Sequence, residues 1–226
     1  KYINKELKTS ADDFANKQIK KLLKSNFYNY KIISEEDDSS KQIFNNHFTG
    51  FIIDPIDGTS SFFENFKTYV TQIAYAENGN IIMGVVYSPE LDKLFFAEKG
   101  QGAYCNYNLI NSNNTNNNKF KLIDNTPKPS NYIKKIMKNN KIKNYYESGS
   151  IGLKISLIAS NIADLMIKPD IFKIWDIAAP LVILNEAKGS LYEINKNKII
   201  IDKINKNHFM GLIACSSKID ILNIKL

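Results

Sequence analysis

Arginine is absent from this chain of 226 residues, so its formal charge of +7 rests on lysine alone. The bidentate guanidinium contacts that often bind phosphate or carboxylate groups are therefore excluded. A phosphate would have to be bound by lysine, hydroxyl groups, backbone N–H groups or a metal ion. The lysines form no basic stripe interleaved with aromatic residues, which argues against a nucleic-acid polymer as a partner and leaves peripheral membrane contact open.

Cysteine and histidine are also scarce. Cys105 and Cys215 are too few for a disulfide framework, which favours a reducing, cytoplasmic location. Because His47 and His208 are the only histidines, a Cys/His zinc site is disfavoured, and oxygen atoms would have to bind any metal. No apolar run approaches the roughly twenty residues that cross a bilayer, so no transmembrane segment is predicted.

The chain is 43% hydrophobic, enough for one core or two layered halves. Its most informative stretch is 51–59, where Phe51, Ile52 and Ile53 predict a buried strand. Pro55 is expected to end that strand because it has no N–H to donate, and Gly58 permits a tight turn. Polar residues therefore follow directly on a buried element.

Two carboxylates flank Pro55. Asp54 and Asp57 lie three residues apart, and the carbonyl of Ile56 between them offers a third oxygen. Three such oxygens are suited to a hard cation, and Mg²⁺ is the natural occupant. An Asx turn that closes a loop explains the same pattern, and this stretch alone does not separate the two interpretations.

Three further motifs lie in a fixed order around this stretch: Ser34-Glu35-Glu36-Asp37, Gly149-Ser150-Ile151-Gly152-Leu153-Lys154 and Trp175-Asp176-Ile177-Ala178-Ala179. Together with Asp54-Pro55-Ile56-Asp57-Gly58-Thr59, they resemble the signatures of the lithium-sensitive, magnesium-dependent sugar and nucleotide phosphatases of the inositol monophosphatase superfamily. The resemblance extends over nearly the whole chain.

The resemblance implies a set of site residues. It implies two or three Mg²⁺ ions, inhibition by Li⁺, and attack by an activated water without a covalent intermediate. The implied metal ligands are Glu35, Asp54, the Ile56 carbonyl, Asp57 and Asp176. The implied catalytic residues are Glu35, Thr59 and Asp12, and the implied substrate-binding residues are Gly58, Thr59, Gly149, Ser150, Lys154 and Asp176.

Two acidic positions also have ordinary structural explanations. An amphipathic helix is predicted over 11–23 with Thr9 or Ser10 as its cap, and Asp12 would complement the positive N-terminus of that helix. Glu35 begins a run of four acids, a pattern typical of a solvated loop. In both cases the resemblance favours the role in the site.

The segment around Gly149 and Ser150 opens an apolar helix, so its N–H groups and the helix dipole predict an anion site. We expect Lys154, one turn later, to bind the same phosphate. Asp176 is expected to start the last helix, and Pro180 and Lys188 stand where the family usually has glycine. Pro180 predicts a shifted or kinked helix start.

The fold expected from the resemblance is an α/β class layered αβαβα sandwich with two mixed sheets. We expect two halves, 1–110 and 119–226, joined by an Asn-rich loop over 111–118. The leading function is removal of the 3′-phosphate from adenosine 3′,5′-bisphosphate, a small-molecule substrate. The alternatives are an inositol or sugar monophosphatase and a non-catalytic metal- or phosphate-binding module. The sequence leaves the oligomeric state undetermined.

Overall fold

Strands dominate the first half of the chain, and helices alternate with strands in the second. The computed structural model describes residues 2–3, 6–38, 44–113, 120–200 and 206–226. The helices in this part are α1 (Ser10–Asn26), α2 (Thr59–Phe63), α3 (Asn131–Asn139), α4 (Ile151–Ala159), α5 (Ile174–Glu186) and a 3-10 turn (Ile221–Asn223). None of the helices described has the length and apolar character to cross a membrane.

The strands of the first half form a short hairpin and one large sheet. The hairpin consists of β1 (Tyr2–Ile3) and β2 (Glu6–Leu7). The sheet has the order β3-β4-β5-β6-β7-β8-β9, and only its β3-β4 pair is parallel. Its strands are β3 (Lys31–Ser34), β4 (Gly50–Asp57), β5 (Val70–Glu77), β6 (Asn80–Ser88), β7 (Lys93–Glu98), β8 (Ala103–Cys105) and β9 (Asn108–Ile110).

The second sheet is also mixed and has the order β11-β10-β12-β14-β13. β10 pairs in parallel with β11 and β12, whereas β14 is antiparallel to both of its neighbours. These strands are β10 (Lys121–Asp124), β11 (Asn144–Glu147), β12 (Leu165–Lys173), β13 (Ser190–Tyr192) and β14 (His208–Cys215).

Side-chain alternation along the second sheet separates two cores. On β12, Met166 joins the core formed with α4 and α5, whereas Leu165 and Ile167 join the core formed with α3. Successive side chains of a strand point to opposite faces, so the two cores lie on the two faces of this sheet. Helix α5 also contacts β5, β6 and β7, so α4 and α5 lie between the two sheets.

Helix α1 lies on the other face of the large sheet, where Phe27 at its C-terminus packs on Phe51 of β4. The layers are therefore α1, the large sheet, α4 with α5, the second sheet and α3, which confirms the expected fold class. The large sheet uses residues 31–110 and the second uses residues 121–215. The division into halves stays a prediction, and residues 114–119 of the Asn-rich loop lie outside the described residues.

Candidate active site

A bulge in β4 positions the two central carboxylates. Asp54 pairs with Gln72 of β5 and Asp57 pairs with Val70, so β4 advances three residues while β5 advances two. The expectation that Pro55 ends the strand is therefore wrong. The strand runs on to Asp57 because the ladder absorbs the proline as one extra residue, as bulges do.

The bulge brings both acids to one place. Gln72 Nε2 lies 3.3 Å from Asp54 Oδ2 and 3.4 Å from Asp57 Oδ2. Both acids are buried, with 1% and 7% of their surfaces exposed. In a regular strand, residues three apart point to opposite faces, so the extra residue is what makes the two carboxylates neighbours.

The turn after Asp57 leads directly into α2. Gly58 has φ of 92° and precedes Thr59, the first residue of that helix. The Thr59 hydroxyl lies 3.1 Å from the Ile56 carbonyl oxygen and 3.1 Å from Asp12 Oδ1. A hydroxyl has one proton, so Thr59 donates to only one of these two acceptors at a time.

Asp12 caps α1 and also contacts Thr59. Its Oδ2 accepts hydrogen bonds from Thr9 N at 2.8 Å and from the Thr9 hydroxyl at 2.5 Å, which completes a capping box at the start of α1. Its Oδ1 faces Thr59. The carboxylate is 2% exposed. Helix α1 thus carries an acid into contact with the turn of β4 and α2.

The acidic run after β3 is divided among different partners. Glu36 forms an ion pair with Lys8 at 3.1 Å and Asp37 forms one with Lys20 at 2.5 Å, so these two acids attach the run to α1 and the residues before it. Glu35 instead lies beside Asp54, whose pKa is raised first by burial and next by the negative charge of Glu35. The solvated-loop interpretation therefore does not fit Glu35.

The N-terminus of α4 already holds an anion of the chain itself. Asp57 accepts from the Ser150 hydroxyl at 2.6 Å, from Gly152 N at 2.5 Å and from Ile151 N at 3.2 Å. Ser150 is also the N-cap and accepts from Leu153 N. The predicted anion site exists, but its anion is the Asp57 carboxylate. Burial raises the pKa of Asp57, and these hydrogen bonds oppose that rise.

Lys154 does not reach the open side of the site. It is fully buried, and its Nζ donates to the carbonyl oxygens of Ser148 at 3.0 Å and Gly149 at 2.8 Å, and also to Asn125 Oδ1. Contrary to the expectation, Lys154 is not placed to bind a phosphate, because the loop before α4 folds back over its amine. Burial and, next, the charge of Lys168 lower its pKa to about 7.

The other predicted substrate residues lie together. Gly149 packs on α2, where a Cβ would lie 1.8 Å from Ser61 Oγ, and Ser150 N donates to Thr68 O at 2.9 Å. A Cβ on Gly58 would lie 3.4 Å from Ser150 Cα. The structure thus places Gly58, Gly149 and Ser150 next to one another and next to Asp57.

Asp176 lies in the first turn of α5. The helix begins at Ile174, and Asp176 Oδ2 accepts from Lys173 N at 2.6 Å. The expectation that Asp176 starts the helix is therefore wrong, and the earlier start leaves Pro180 inside the helix, beyond its first turn. Proline cannot donate to the carbonyl four residues earlier, which is that of Asp176. Gln72 Nε2 lies 3.4 Å from this carbonyl oxygen.

The electrostatics of Asp54 indicate a cation. Burial, followed by the negative charges of Glu35, Asp57 and Asp176, raises its pKa well above the usual range. Among the residues that the structure describes, its buried Oδ1 has no hydrogen-bond partner. Within the described ranges, no three or more His, Cys, Asp or Glu side chains are already arranged as a metal site. The donors are all hard oxygens and several negative charges lie close to Asp54, so the residues fit Mg²⁺.

The sequence analysis missed Gln72. Along β5 the buried positions alternate as Val70, Gln72, Ala74 and Ala76. A glutamine on an otherwise apolar buried face needs partners, because burying an unpaired amide costs free energy. That break in the alternation is the signal that points to a polar partner inside the sheet.

The fold and the acidic cluster define the class of layered α/β phosphatases. The chain belongs to the inositol monophosphatase family, whose profile matches residues 1–219 and whose members are metal-dependent phosphatases. This confirms the resemblance found in the sequence.

Three curated relatives illustrate the similarity. The Nus factor SuhB of Xylella fastidiosa is 30% identical over 191 residues, covering 80% of this chain and 66% of that protein, just under two thirds. The 3′(2′),5′-bisphosphate nucleotidase CysQ of Aggregatibacter actinomycetemcomitans is 24% identical over 217 residues, covering 90% and 80%. An inositol monophosphatase of Dictyostelium discoideum is 29% identical over 205 residues, covering 85% and 74%.

Solved structures have the same fold. An IMPase of Thermotoga maritima superposes with a TM-score of 0.79 at 24% identity, covering 96% of this chain and 81% of that one. The extragenic suppressor protein suhB of Bartonella henselae gives a TM-score of 0.75 at 25% identity, covering 92% and 83%.

Proposed function

We propose that this chain is an Mg²⁺-dependent phosphomonoester hydrolase that removes the 3′-phosphate of adenosine 3′,5′-bisphosphate, giving AMP and phosphate. The observation that carries the hydrolase assignment is Asp54, a buried carboxyl group with an unpartnered oxygen beside Glu35, Asp57 and Asp176. The nucleotide assignment is supported by similarity to a bisphosphate nucleotidase over 90% of this chain.

The residues that would hold two or three Mg²⁺ ions are Glu35, Asp54, the Ile56 carbonyl, Asp57 and Asp176. When bound, these ions would neutralise phosphate oxygens and make the attacking water more acidic. Li⁺ is expected to inhibit, as it does in this family. Free Cys105 and Cys215 agree with the proposed cytoplasmic location.

Thr59 and Asp12 supply a path for the proton of the attacking water. The Thr59 hydroxyl can accept a hydrogen bond from that water while it donates to Asp12 Oδ1, 3.1 Å away. Asp12 orients Thr59 and takes up its hydroxyl proton as Thr59 receives the proton of the water. Glu35, directly after β3, would orient the same water.

Hydrolysis of an inositol or sugar monophosphate is the second candidate. It is favoured by the placement of Lys154, whose amine donates to loop carbonyls and not to the open side of the site. A second phosphate therefore has one cation fewer to bind it. Similarity to an inositol monophosphatase at 29% identity agrees with this candidate.

Phosphate release from adenosine 3′,5′-bisphosphate, AMP, inositol 1-phosphate and fructose 1,6-bisphosphate, with Mg²⁺ and with EDTA, tests the proposal. We expect Mg²⁺-dependent release that is fastest with the adenosine bisphosphate. A preference for inositol phosphate would support the second candidate. Mg²⁺ binding with no release from any substrate would identify a non-catalytic metal-binding module instead.

A further inference from the structure

We propose that Gln72 is a positioning residue that holds the two acids of β4 against the first turn of α5, and that Pro180 makes this contact possible. Its effect on catalysis rests on the proposed metal-dependent function. The geometric part, a coupling between Gln72 and Pro180, stands without that function.

One amide group serves three acceptors from two elements. Gln72 Nε2 lies 3.3 Å from Asp54 Oδ2, 3.4 Å from Asp57 Oδ2 and 3.4 Å from the Asp176 carbonyl oxygen. An amide has two N–H groups, so the three acceptors share two donors. A neutral donor draws the acids together without neutralising the charge that a cation needs. Gln72 thereby sets the spacing between β4 and α5.

Pro180 removes the usual helical donor of the Asp176 carbonyl. In a regular helix the N–H of residue 180 would donate to the carbonyl of Asp176, but proline has no N–H. The Asp176 carbonyl therefore does not receive this helical hydrogen bond, and Gln72 Nε2, from outside the helix, lies 3.4 Å from it. In a helix without proline at residue 180, the N–H of that residue would already bind the Asp176 carbonyl.

Burying the Gln72 amide costs free energy, which indicates that its N–H donors have a role in the site. Gln72 is 1% exposed, and its buried Oε1 has no hydrogen-bond partner in the described part of the chain. Gly152 of α4 leaves room for it, because a Cβ there would lie 2.6 Å from Oε1 and 3.1 Å from Asp57 Oδ2. An apolar side chain at position 72 would avoid an unpaired oxygen. A residue needed only for packing would not be an amide.

The functional arm of the test compares Gln72→Met with the wild type by isothermal titration with Mg²⁺ and by phosphate release. Methionine keeps the length and loses the donors. Loss of partners that orient metal ligands lowers metal affinity or activity by roughly 10- to 100-fold. We expect a loss of that size in Mg²⁺ affinity. Gln18→Met, the same change at an exposed position of α1, is the matched control and should bind like the wild type.

The structural arm measures thermal unfolding of Gln72→Met, Pro180→Ala and the double variant without metal. Alanine at position 180 restores the helical N–H, so Gln72→Met should lower the melting temperature less in that background. Additive shifts would overturn the coupling. If Gln72→Met does not fold, Gln72→Asn is used in both arms. Asparagine keeps the amide, but its shorter side chain moves the amide away from the three acceptors.

The two arms also separate this inference from the proposed function. Unchanged Mg²⁺ affinity in a folded Gln72 variant would overturn the positioning role while leaving the hydrolase assignment intact. A wild type that neither binds Mg²⁺ nor releases phosphate would overturn the hydrolase assignment and the positioning role together. The thermal data would still decide the coupling with Pro180.

Discussion

Asp54 and Asp57 lie three residues apart on one strand, yet their carboxylates have opposite surroundings. Asp57 accepts from a hydroxyl and two backbone N–H groups at the start of α4. Within the described ranges, Asp54 has Gln72 Nε2 near one oxygen and no hydrogen-bond partner at the other, and it lies beside three negative charges. The Asp57 carboxylate therefore stabilises the fold as well as belonging to the candidate site. The Asp54 carboxylate lowers the stability of the protein when no metal is bound.

This difference predicts contrasting effects of removing each charge. In Asp54→Asn, Mg²⁺-dependent phosphate release should be lost, because a charged ligand is removed. Its melting temperature in EDTA should equal or exceed that of the wild type, because charge repulsion is relieved. Phosphate release and thermal unfolding measure the two effects.

Two variants serve as comparisons for Asp54→Asn. Asp57→Asn should also be inactive, but it should lose about 1.5 to 3 kcal/mol of unfolding free energy because it weakens charged hydrogen bonds. Asp13→Asn, at an exposed position of α1, should change neither quantity. Turnover by Asp54→Asn at saturating Mg²⁺ would contradict its role as a ligand.

The raised pKa of Asp54 predicts how stability depends on pH without metal. The unfolded carboxyl releases its proton near pH 4, whereas the folded one keeps it to higher pH. Over that window the native state binds more protons, so stability falls as pH rises. We expect the melting temperature in EDTA to fall more steeply above about pH 4 in the wild type than in Asp54→Asn. Parallel curves for the two proteins would contradict this.

At the scale of elements, the loop before α4 and the helix itself are joined by Lys154. Replacing it with methionine should leave the carbonyls of Ser148 and Gly149 without their donor, which costs about 1 to 3 kcal/mol. Urea unfolding at about pH 10 measures this loss, because at lower pH the wild type must also release the proton of Lys154 on folding, which offsets it. Because the amine faces the loop, activity on bisphosphate and monophosphate substrates should fall by the same factor.

Lys17→Met, at an exposed position of α1, is the matched control and should have wild-type stability and activity. A loss confined to the bisphosphate would show that Lys154 binds the second phosphate after all. It would also strengthen the nucleotidase assignment over the monophosphatase one.

Elements whose signals are local were predictable from the sequence. The turn at Asn78 and Gly79, with φ of 48° and 75°, joins β5 to β6 as its dipeptide predicts. The cap at Thr9 likewise depends on neighbouring residues only. The bulge at Pro55 was not predictable, because it depends on the register of β5. The role of Lys154 was not either, because no local pattern shows that Asp57, 95 residues before Gly152, occupies the helix N-terminus.

At the scale of the whole molecule, α5 packs against both sheets. Its buried side chains join one core with Val86 and Phe95 of the large sheet and with Leu212 of the second. A Cβ on Gly84 of β6 would lie 2.3 Å from Ala179 O, so helix and sheet are in direct backbone contact. Neither sheet can therefore keep its inner face covered if α5 leaves.

Leu181→Ala tests this shared core. Leu181 is fully buried in α5, and truncation of such a side chain costs about 2 to 5 kcal/mol. We expect a single unfolding transition at lower urea and faster hydrogen exchange in both β6 and β14. Leu222→Ala, which truncates a leucine that is 76% exposed, is the control. Two separate transitions, or faster exchange in one sheet only, would contradict a shared core.

The contact between Asp57 and the start of α4 also has a consequence for biosynthesis. A ribosome makes Asp54 and Asp57 long before it makes Ile151 and Gly152, whose N–H groups hold Asp57. The nascent chain therefore carries a pair of acids without their donors until α4 has emerged. The acidic centre is assembled late, by a step that also joins the first half of the polypeptide to the second, so a prematurely terminated product lacks the site even when β4 is complete.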